Sequence, residues 1–220
     1  MVDAQSGARS TGVELLDDAL GGGVPPGSLV ALAATPRAQS EPLLYQMAAE
    51  NRTRYLSTLR PAAEVTDAIA ATVGTGGEDR VDPTAGVDVR AVDGDDVLAE
   101  PEPHFSGLES GSVVVVDPTT ELEQGERERY RQFLDTCKHA LRMTDSDGLL
   151  HCHENTPSVL RRDVTMARAD LVWDVRVDAM GGRLHTRMAI TKARGGSPAG
   201  MFDLRFDDGG VTARDCSPGQ

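Results

Sequence analysis

Residues 112–117 read Ser-Val-Val-Val-Val-Asp and form the most strand-like stretch of the chain. Four consecutive β-branched residues favour a strand that is buried on both faces, as in the middle of a parallel sheet. Parallel strands need crossover connections, which are usually helices. Apolar residues recur at helical spacing in residues 61–73, before this stretch, and in residues 124–143, after it. We therefore expect an α/β fold with residues 112–117 near its centre.

The rest of the chain extends this pattern. Short apolar or alternating stretches predict further strands at residues 28–34, 54–58, 87–92 and 148–152. Glycine-containing turns then separate residues 171–177 from 183–191 and residues 201–206 from 211–213, which is typical of hairpins. The sequence thus predicts a mostly parallel sheet flanked by helices, with a C-terminal antiparallel hairpin extension. We expect one domain over residues 11–213, a flexible N-terminus at 1–10 and a flexible tail at 214–220.

Charge is the strongest feature of the composition. The 220 residues carry a formal net charge of −13, and the only two lysines are Lys138 and Lys192. Such an acidic, lysine-poor surface is typical of halophiles that accumulate salt in the cytoplasm, where the Debye length is about 3 Å at 1 M salt. The alternative is an ordinary acidic cytosolic protein. Either way, the negative surface disfavours binding to a phosphate backbone, and nucleic acid is not an expected partner.

The sequence also bears on location. No apolar run approaches the ~18–20 residues of a membrane-spanning helix. The first ten residues lack the apolar core of a signal peptide. The three cysteines are odd in number and widely spaced, which favours reduced thiols. We therefore expect a cytoplasmic protein without a membrane partner.

Three segments resemble a known family. Thr11-Gly12 and the stretch Leu-Gly-Gly-Gly-Val-Pro-Pro-Gly-Ser-Leu-Val at residues 20–30 resemble the entry segment of RecA-like ATPases of the KaiC and RadA-type group. Lys-Ala-Arg-Gly at residues 192–195, followed by residues 200–204, resembles the segment between the last strands of that group. Residues 112–117 resemble its second nucleotide motif, whose aspartate helps to hold Mg²⁺. The resemblance covers about residues 11–213 and implies a RecA-like fold and either a homo-oligomer or a hetero-oligomer with related RecA-like proteins.

The expected phosphate-binding loop departs from this family. In its place, residues 34–42 read Ala-Thr-Pro-Arg-Ala-Gln-Ser-Glu-Pro, with no glycine. Ser40 stands where the family has the lysine that reaches the phosphates, and Glu41 stands where it has the hydroxyl that binds Mg²⁺. A carboxylate at the start of a helix competes with phosphate for the same positive dipole end.

The second strand also ends without the family's catalytic acid, since residues 57–60 read Ser-Thr-Leu-Arg. With the lysine, the Mg²⁺-binding hydroxyl and the catalytic glutamate all missing, we expect neither ATP hydrolysis nor a bound cofactor. The resemblance then implies a degenerate, non-hydrolysing protein that acts as a regulatory or assembly partner in signalling or transcriptional control.

An alternative keeps ATP and Mg²⁺, held by an altered loop or by a site shared with a neighbouring subunit. The altered loop would use four candidate binding residues: Thr35, Arg37, Ser40 and Asp117. In the shared site, Lys192 and Arg194 would act on a neighbour's nucleotide as a finger does, because residues two apart on a strand point to the same side. The structural alternatives are a carboxylate of Asp117 that caps the following turn and a solvated or acid-paired Lys192 and Arg194.

Two further patterns carry weaker predictions. His151-Cys152-His153-Glu154 contains metal-ligating residue types, but no second Cys or His pair has suitable spacing, so we assign no metal site. His153 is expected near the carboxyl edge of the sheet, where ligands bind. No Ser-His-Asp set stands in a recognisable context, and no catalytic residue is assigned. A third hypothesis, nucleic-acid binding, would rest on three arginines that we expect to be ordinary surface residues: Arg161, Arg162 and Arg168.

Overall fold

Nine strands form one mixed sheet in the computed structural model, which describes residues 7–35, 37–74, 82–154, 159–194, 196–207 and 210–216. The order across the sheet is β3-β2-β4-β5-β1-β6-β7-β8-β9. The strands are β1 (Leu29–Ala34), β2 (Thr53–Ser57), β3 (Val87–Ala91), β4 (Val113–Asp117), β5 (Asp147–His153), β6 (Leu171–Met180), β7 (Arg183–Ala193), β8 (Ala199–Asp207) and β9 (Gly210–Asp215).

Helices cover both faces of this sheet. They are α1 (Glu14–Ala19), α2 (Glu41–Glu50), α3 (Ala62–Val73), α4 (Gly94–Ala99), α5 (Glu102–Phe105), α6 (Thr120–Glu123), α7 (Arg127–Met143) and α8 (Arg162–Arg168). Helices α1, α2 and α3 contribute to one apolar core, and α4 to α8 contribute to the other. None of the helices in the described part of the chain is long and apolar enough to cross a membrane.

The four valines of β4 lie where the sequence predicts, between the two cores. Val113 and Val115 pack into the core of α1 to α3, whereas Val114 and Val116 pack into the core on the opposite face. All four are at most 1% exposed. Burial on both faces favours β-branched side chains over an alternating pattern. The composition of β4 therefore suits an interior strand, and β4 is the third of nine strands counted from the β3 edge.

The predicted fold class is confirmed. Strands β1 to β6 run parallel, and β6 to β9 form the antiparallel C-terminal extension. The β6–β7 turn is Gly181-Gly182, and both residues have positive φ, at 59° and 75°. Two successive positive φ values suit a two-residue hairpin turn, which glycine adopts without strain. Residues 208–209 of the second predicted hairpin turn and 75–81 of a polar stretch lie outside the described residues.

The amino edge of the parallel strands holds a buried carboxyl group. Asp147 is 0% exposed, and its Oδ1 accepts a 3.0 Å hydrogen bond from the Ser28 backbone N–H. Its Oδ2 has no hydrogen-bond partner, and the nearest cation, Arg9 Nε, lies 3.9 Å away. Burial outweighs these contacts and raises the pKa of Asp147 to about 7. This edge therefore contains a carboxyl group that the fold holds more easily in its neutral form.

Candidate functional site

The candidate site lies at the carboxyl edge of the parallel strands. Strands β1, β4 and β5 end there at Ala34, Asp117 and His153. In open α/β sheets, ligands bind in the crevice outside this edge. Ser40 reaches the same place because it stands directly before α2, the helix that follows β1.

A hydrogen-bonded chain joins Ser40, His151 and Asp117. Ser40 Oγ lies 2.9 Å from His151 Nε2, and His151 Nδ1 lies 2.6 Å from Asp117 Oδ1. The three residues are 1%, 0% and 3% exposed. Ser40 occupies the N-cap position of α2, yet its side chain makes no capping hydrogen bond to the helix. Its hydroxyl is directed at the imidazole instead.

The charge of Asp117 sets the direction of these bonds. Burial by itself raises the pKa of this carboxyl, but hydrogen bonds from His151 and Tyr55 and the charge of Arg60 lower it to about 2. Asp117 is therefore a carboxylate near neutral pH and can only accept hydrogen bonds. His151 Nδ1 must then carry the proton, and in the neutral imidazole Nε2 accepts from the Ser40 hydroxyl.

The second oxygen of Asp117 is also engaged. Tyr55 Oη donates to Asp117 Oδ2 at 2.5 Å, and Arg60 Nη2 donates to the same oxygen at 3.0 Å. Arg60 also lies over the Tyr45 ring, with Cζ 5.7 Å from the centroid. Burial raises the pKa of Tyr55 well above its usual value, and the neighbouring carboxylate raises it further. Tyr55 therefore stays a neutral donor, and both carboxylate oxygens hold donors from the protein.

The structure places all four predicted loop-site residues at this edge but joins only two of them. Ser40 and Asp117 are connected through His151. Thr35 is half-buried and Arg37 is exposed, both in the connection between β1 and Ser40. Pro36, between them, lies outside the described residues. Asp117 does not simply cap the turn that follows it, because its side chain accepts hydrogen bonds from strands β5 and β2 and from Arg60 in the loop after β2.

Lys192 and Arg194 lie at the opposite edge of the sheet. Lys192 Nζ donates to the Met166 carbonyl at 2.7 Å, near the end of α8. Arg194 Nε lies 3.0 Å from Asp170 Oδ1, and the Asp170 backbone N–H donates to the Leu29 carbonyl at the start of β1. Arg194 is thus acid-paired, as one of the sequence alternatives has it. A contact with a neighbour's nucleotide stays a prediction for both residues.

Arg162 is not the ordinary surface residue that the sequence led us to expect. Its side chain is 16% exposed and binds the buried carboxylate of Glu123. Glu123 Oε1 also accepts from the Thr165 hydroxyl, which contacts the Tyr130 hydroxyl. This second polar network fixes α8 against α6 and α7. Arg168, at the end of α8, pairs with Asp135 and keeps a side-chain exposure of 38%.

The His-Cys-His-Glu segment is part of β5 and its end. The rings of His151 and His153 meet edge to face, with centroids 4.5 Å apart. Cys152 points into the other core, and burial raises the pKa of its thiol. Among the described residues, no group of three or more His, Cys, Asp or Glu side chains is arranged to hold a metal ion.

A family model described as a family of unknown function, DUF7125, matches residues 8–213. The chain belongs to the DUF7125 family. This DUF7125 chain matches no curated protein. The family match covers both edges of the sheet and every residue of the two polar networks.

The sequence did not reveal three residues of the DUF7125 site. His151, Tyr55 and Arg60 converge on Asp117, and the Ser-His-Asp set that the sequence did not predict is therefore present. One local signal points to His151, since a polar residue in a strand buried on both faces needs a hydrogen-bond partner. The partner itself depends on the neighbouring strands and helix, which lie far away in the sequence.

Proposed function

We propose that this protein is a non-hydrolysing, RecA-like member of the KaiC and RadA-type group that acts as a regulatory or assembly partner in signalling or transcriptional control. One observation carries the proposal. Asp117 stands at the position that would help to hold Mg²⁺, and its two oxygens already accept hydrogen bonds from His151, Tyr55 and Arg60.

Mg²⁺ needs near-ideal octahedral coordination by oxygen and is usually held by carboxylates together with substrate phosphates. At Asp117, such an ion would have to displace buried donors, each of which would lose its partner. Unsatisfied buried polar groups cost about 1–3 kcal/mol each. The guanidinium of Arg60 also compensates the carboxylate charge at 3.0 Å, which weakens its attraction for a cation.

The phosphate side of the expected site is equally unfavourable. Glu41 is the first residue of α2 and adds a carboxylate at the helix end that would otherwise attract phosphate. The hydroxyl of Ser40, at the position of the family's lysine, contacts the imidazole of His151 rather than the open edge. A scaffold that keeps the sheet but not the nucleotide chemistry supports a role in binding a partner rather than in ATP turnover.

Calorimetric titration of ATP and ADP with Mg²⁺, in molar KCl, tests the first half of the proposal. We expect no binding heat up to millimolar nucleotide while circular dichroism reports a folded chain. Micromolar binding would overturn the proposal, and Arg37 and Asp117 would then be the first residues to replace.

The partner role needs a second assay. The chain is mixed with an active KaiC- or RadA-type ATPase, and complex formation and ATP turnover are measured together. We expect a complex and a change in turnover that the chain alone cannot produce. If the relevant contact is the finger, Lys192→Ala with Arg194→Ala abolishes the change. Absence of any complex at micromolar concentrations of both proteins would contradict the role.

A further inference from the structure

We propose that Ser40 and His151, with Asp117 as the positioning carboxylate, form a nucleophilic triad that accepts the acyl group of a small ester. The proposal does not rest on the proposed function, because it uses no nucleotide and no partner. Its basis is the continuous chain of two hydrogen bonds, 2.9 Å from Ser40 Oγ to His151 Nε2 and 2.6 Å from His151 Nδ1 to Asp117 Oδ1. Such triads are recognised by geometry and roles rather than by sequence position.

The protonation pattern matches the one that nucleophilic catalysis needs. Asp117 is a carboxylate, so it holds the Nδ1 proton of His151 and leaves the Nε2 lone pair facing the Ser40 hydroxyl. A base within 2.6–3.2 Å of a hydroxyl can take its proton as the oxygen attacks. The contacts of Tyr55 and Arg60 with Asp117 Oδ2 fix the carboxylate and keep it ionised.

The backbone around Ser40 also suits a nucleophile. Ser40 directly follows the connection from β1 and directly precedes the ten-residue helix α2. The partial positive charge at a helix N-terminus stabilises negative charge that develops beside it, although Glu41, the first residue of α2, offsets part of that charge. Because the Ser40 side chain makes no capping bond to the helix, its hydroxyl is free to serve the imidazole.

Burial limits the substrate to a compact acyl donor. Ser40 is 1% exposed, whereas the Arg60 side chain above Asp117 is 34% exposed and Arg37 is exposed. A hydroxyl this buried favours the smallest acyl group, acetyl. The chemical class we assign is therefore a short-chain ester with a good leaving group.

The reaction is balanced by water. Ser40 Oγ bonds to the ester carbonyl carbon while its proton passes to His151 Nε2, and the alkoxide leaves with that proton as an alcohol. Water then attacks the acyl-serine carbonyl and gives a proton to Nε2. The bond from Oγ to the acyl carbon breaks, the proton returns to Oγ, and a carboxylic acid is released.

Active-site labelling tests the triad directly. The folded full chain is incubated in molar KCl with methanesulfonyl fluoride, which sulfonylates activated serines with loss of fluoride and transfers a group of about acetyl size, and the modified peptide is identified by mass. We expect one adduct, on Ser40. Ser40→Ala should abolish it, and the matched control Ser28→Ala, a buried serine at the opposite end of β1, should retain it.

The base and the positioning residue have their own readouts. We expect His151→Gln to slow labelling at least about 100-fold, since a general base contributes about 10²–10⁴-fold. Asp117→Asn should slow it while the thermal melting point stays above the assay temperature, because Asn no longer favours the Nδ1 proton. The variants that slow labelling should also slow the hydrolysis of an acetyl ester.

The wild-type chain decides the matter even if a variant does not fold. A folded wild-type chain that takes no label on Ser40 at millimolar probe overturns the triad and leaves the three residues as a structural network. A label on Ser40 whose rate is unchanged in a folded His151→Gln variant overturns the role of the imidazole. Neither labelling result bears on ATP binding. A failure of the proposed function is therefore recognised separately, by the nucleotide titration.

Discussion

The carboxylate of Glu123 is 0% exposed and accepts hydrogen bonds from both Nε and Nη2 of Arg162, at 2.9 and 2.8 Å. Nη2 also donates to the His153 carbonyl at 3.0 Å. One guanidinium therefore ties α6 and α8 to the end of β5, beside the candidate site. The bidentate geometry supplies direction as well as charge compensation.

Loss of this guanidinium should destabilise the protein strongly. Arg162→Ala leaves the Glu123 carboxylate buried without its counter-ion, and breaking one partner of a buried pair costs about 3–5 kcal/mol. We expect a loss of that size in the free energy of unfolding, measured by urea denaturation at constant KCl. The matched control is Arg168→Ala in the same helix, whose exposed pair with Asp135 should contribute about 1 kcal/mol or less. Equal losses in the two variants would contradict the prediction.

Asp147 predicts a decline in stability between about pH 4 and pH 7. Its pKa is about 7 in the folded chain, against 3.8 for an unperturbed aspartate, so the unfolded chain loses the proton first as the pH rises. The free energy of unfolding therefore falls over that window and levels off above it. Asp147→Asn should remove this decline and be more stable than the wild-type chain at pH 8. Asp145→Asn, which removes an exposed carboxyl two residues away, should keep it.

Asp117 predicts the opposite sign at lower pH. Its pKa of about 2 lies below the 3.8 of an unperturbed aspartate, so its contribution to stability is complete above about pH 4. That contribution is lost as the pH falls through about 2, because protonation removes the negative charge that binds the three donors. The free energy of unfolding of Asp117→Asn should fall less steeply than that of the wild-type chain between pH 4 and pH 2. Acid titration followed by circular dichroism measures both proteins. If the wild-type and Asp117→Asn curves of stability against pH were parallel, the prediction would be refuted.

Gly23 should be far less replaceable than its neighbour Gly22. Both have positive φ, at 118° and 116°. A Cβ at Gly23 would collide with the backbone carbonyl of Arg9, whereas one at Gly22 would meet nothing within 4 Å. We expect Gly23→Ala to lower the melting temperature clearly more than Gly22→Ala, because only the former displaces the Arg9–Val24 pairing. Similar melting temperatures for the two variants would show that the positive φ alone, and not the collision with Arg9, determines the loss of stability.

Local patterns predicted the fold better than the site. The valines of β4 and the glycine turn after β6 carry their structural signal within a few residues, and both lie where expected. The short helices α5 and α6 escaped prediction because four residues are too few to show helical spacing. The resemblance singled out Ser40 and Asp117 separately. What joins them is His151, whose two ring nitrogens meet partners 111 and 34 residues away in the sequence.

The position of the Lys192 and Arg194 side chains also depends on contacts that no local sequence pattern shows. Strand alternation correctly places them on one side, and both contact the end of α8. Which surface that side faces depends on how β7 pairs with β6, including a register shift between Val172 and Trp173. No local pattern in β7 encodes that pairing.

The last strand supports the helix that carries the candidate site. Gln46 of α2 accepts a hydrogen bond through Oε1 from the Val211 backbone N–H of β9, at 3.4 Å and 165 residues further along the chain. Since a chain is synthesised from its N-terminus at about 5–20 residues per second, α2 leaves the ribosome many seconds before β9 does. During that interval, one side of α2 has no strand to pack against. Chaperone binding or aggregation of nascent chains should therefore decrease once β9 has been synthesised and packs against α2.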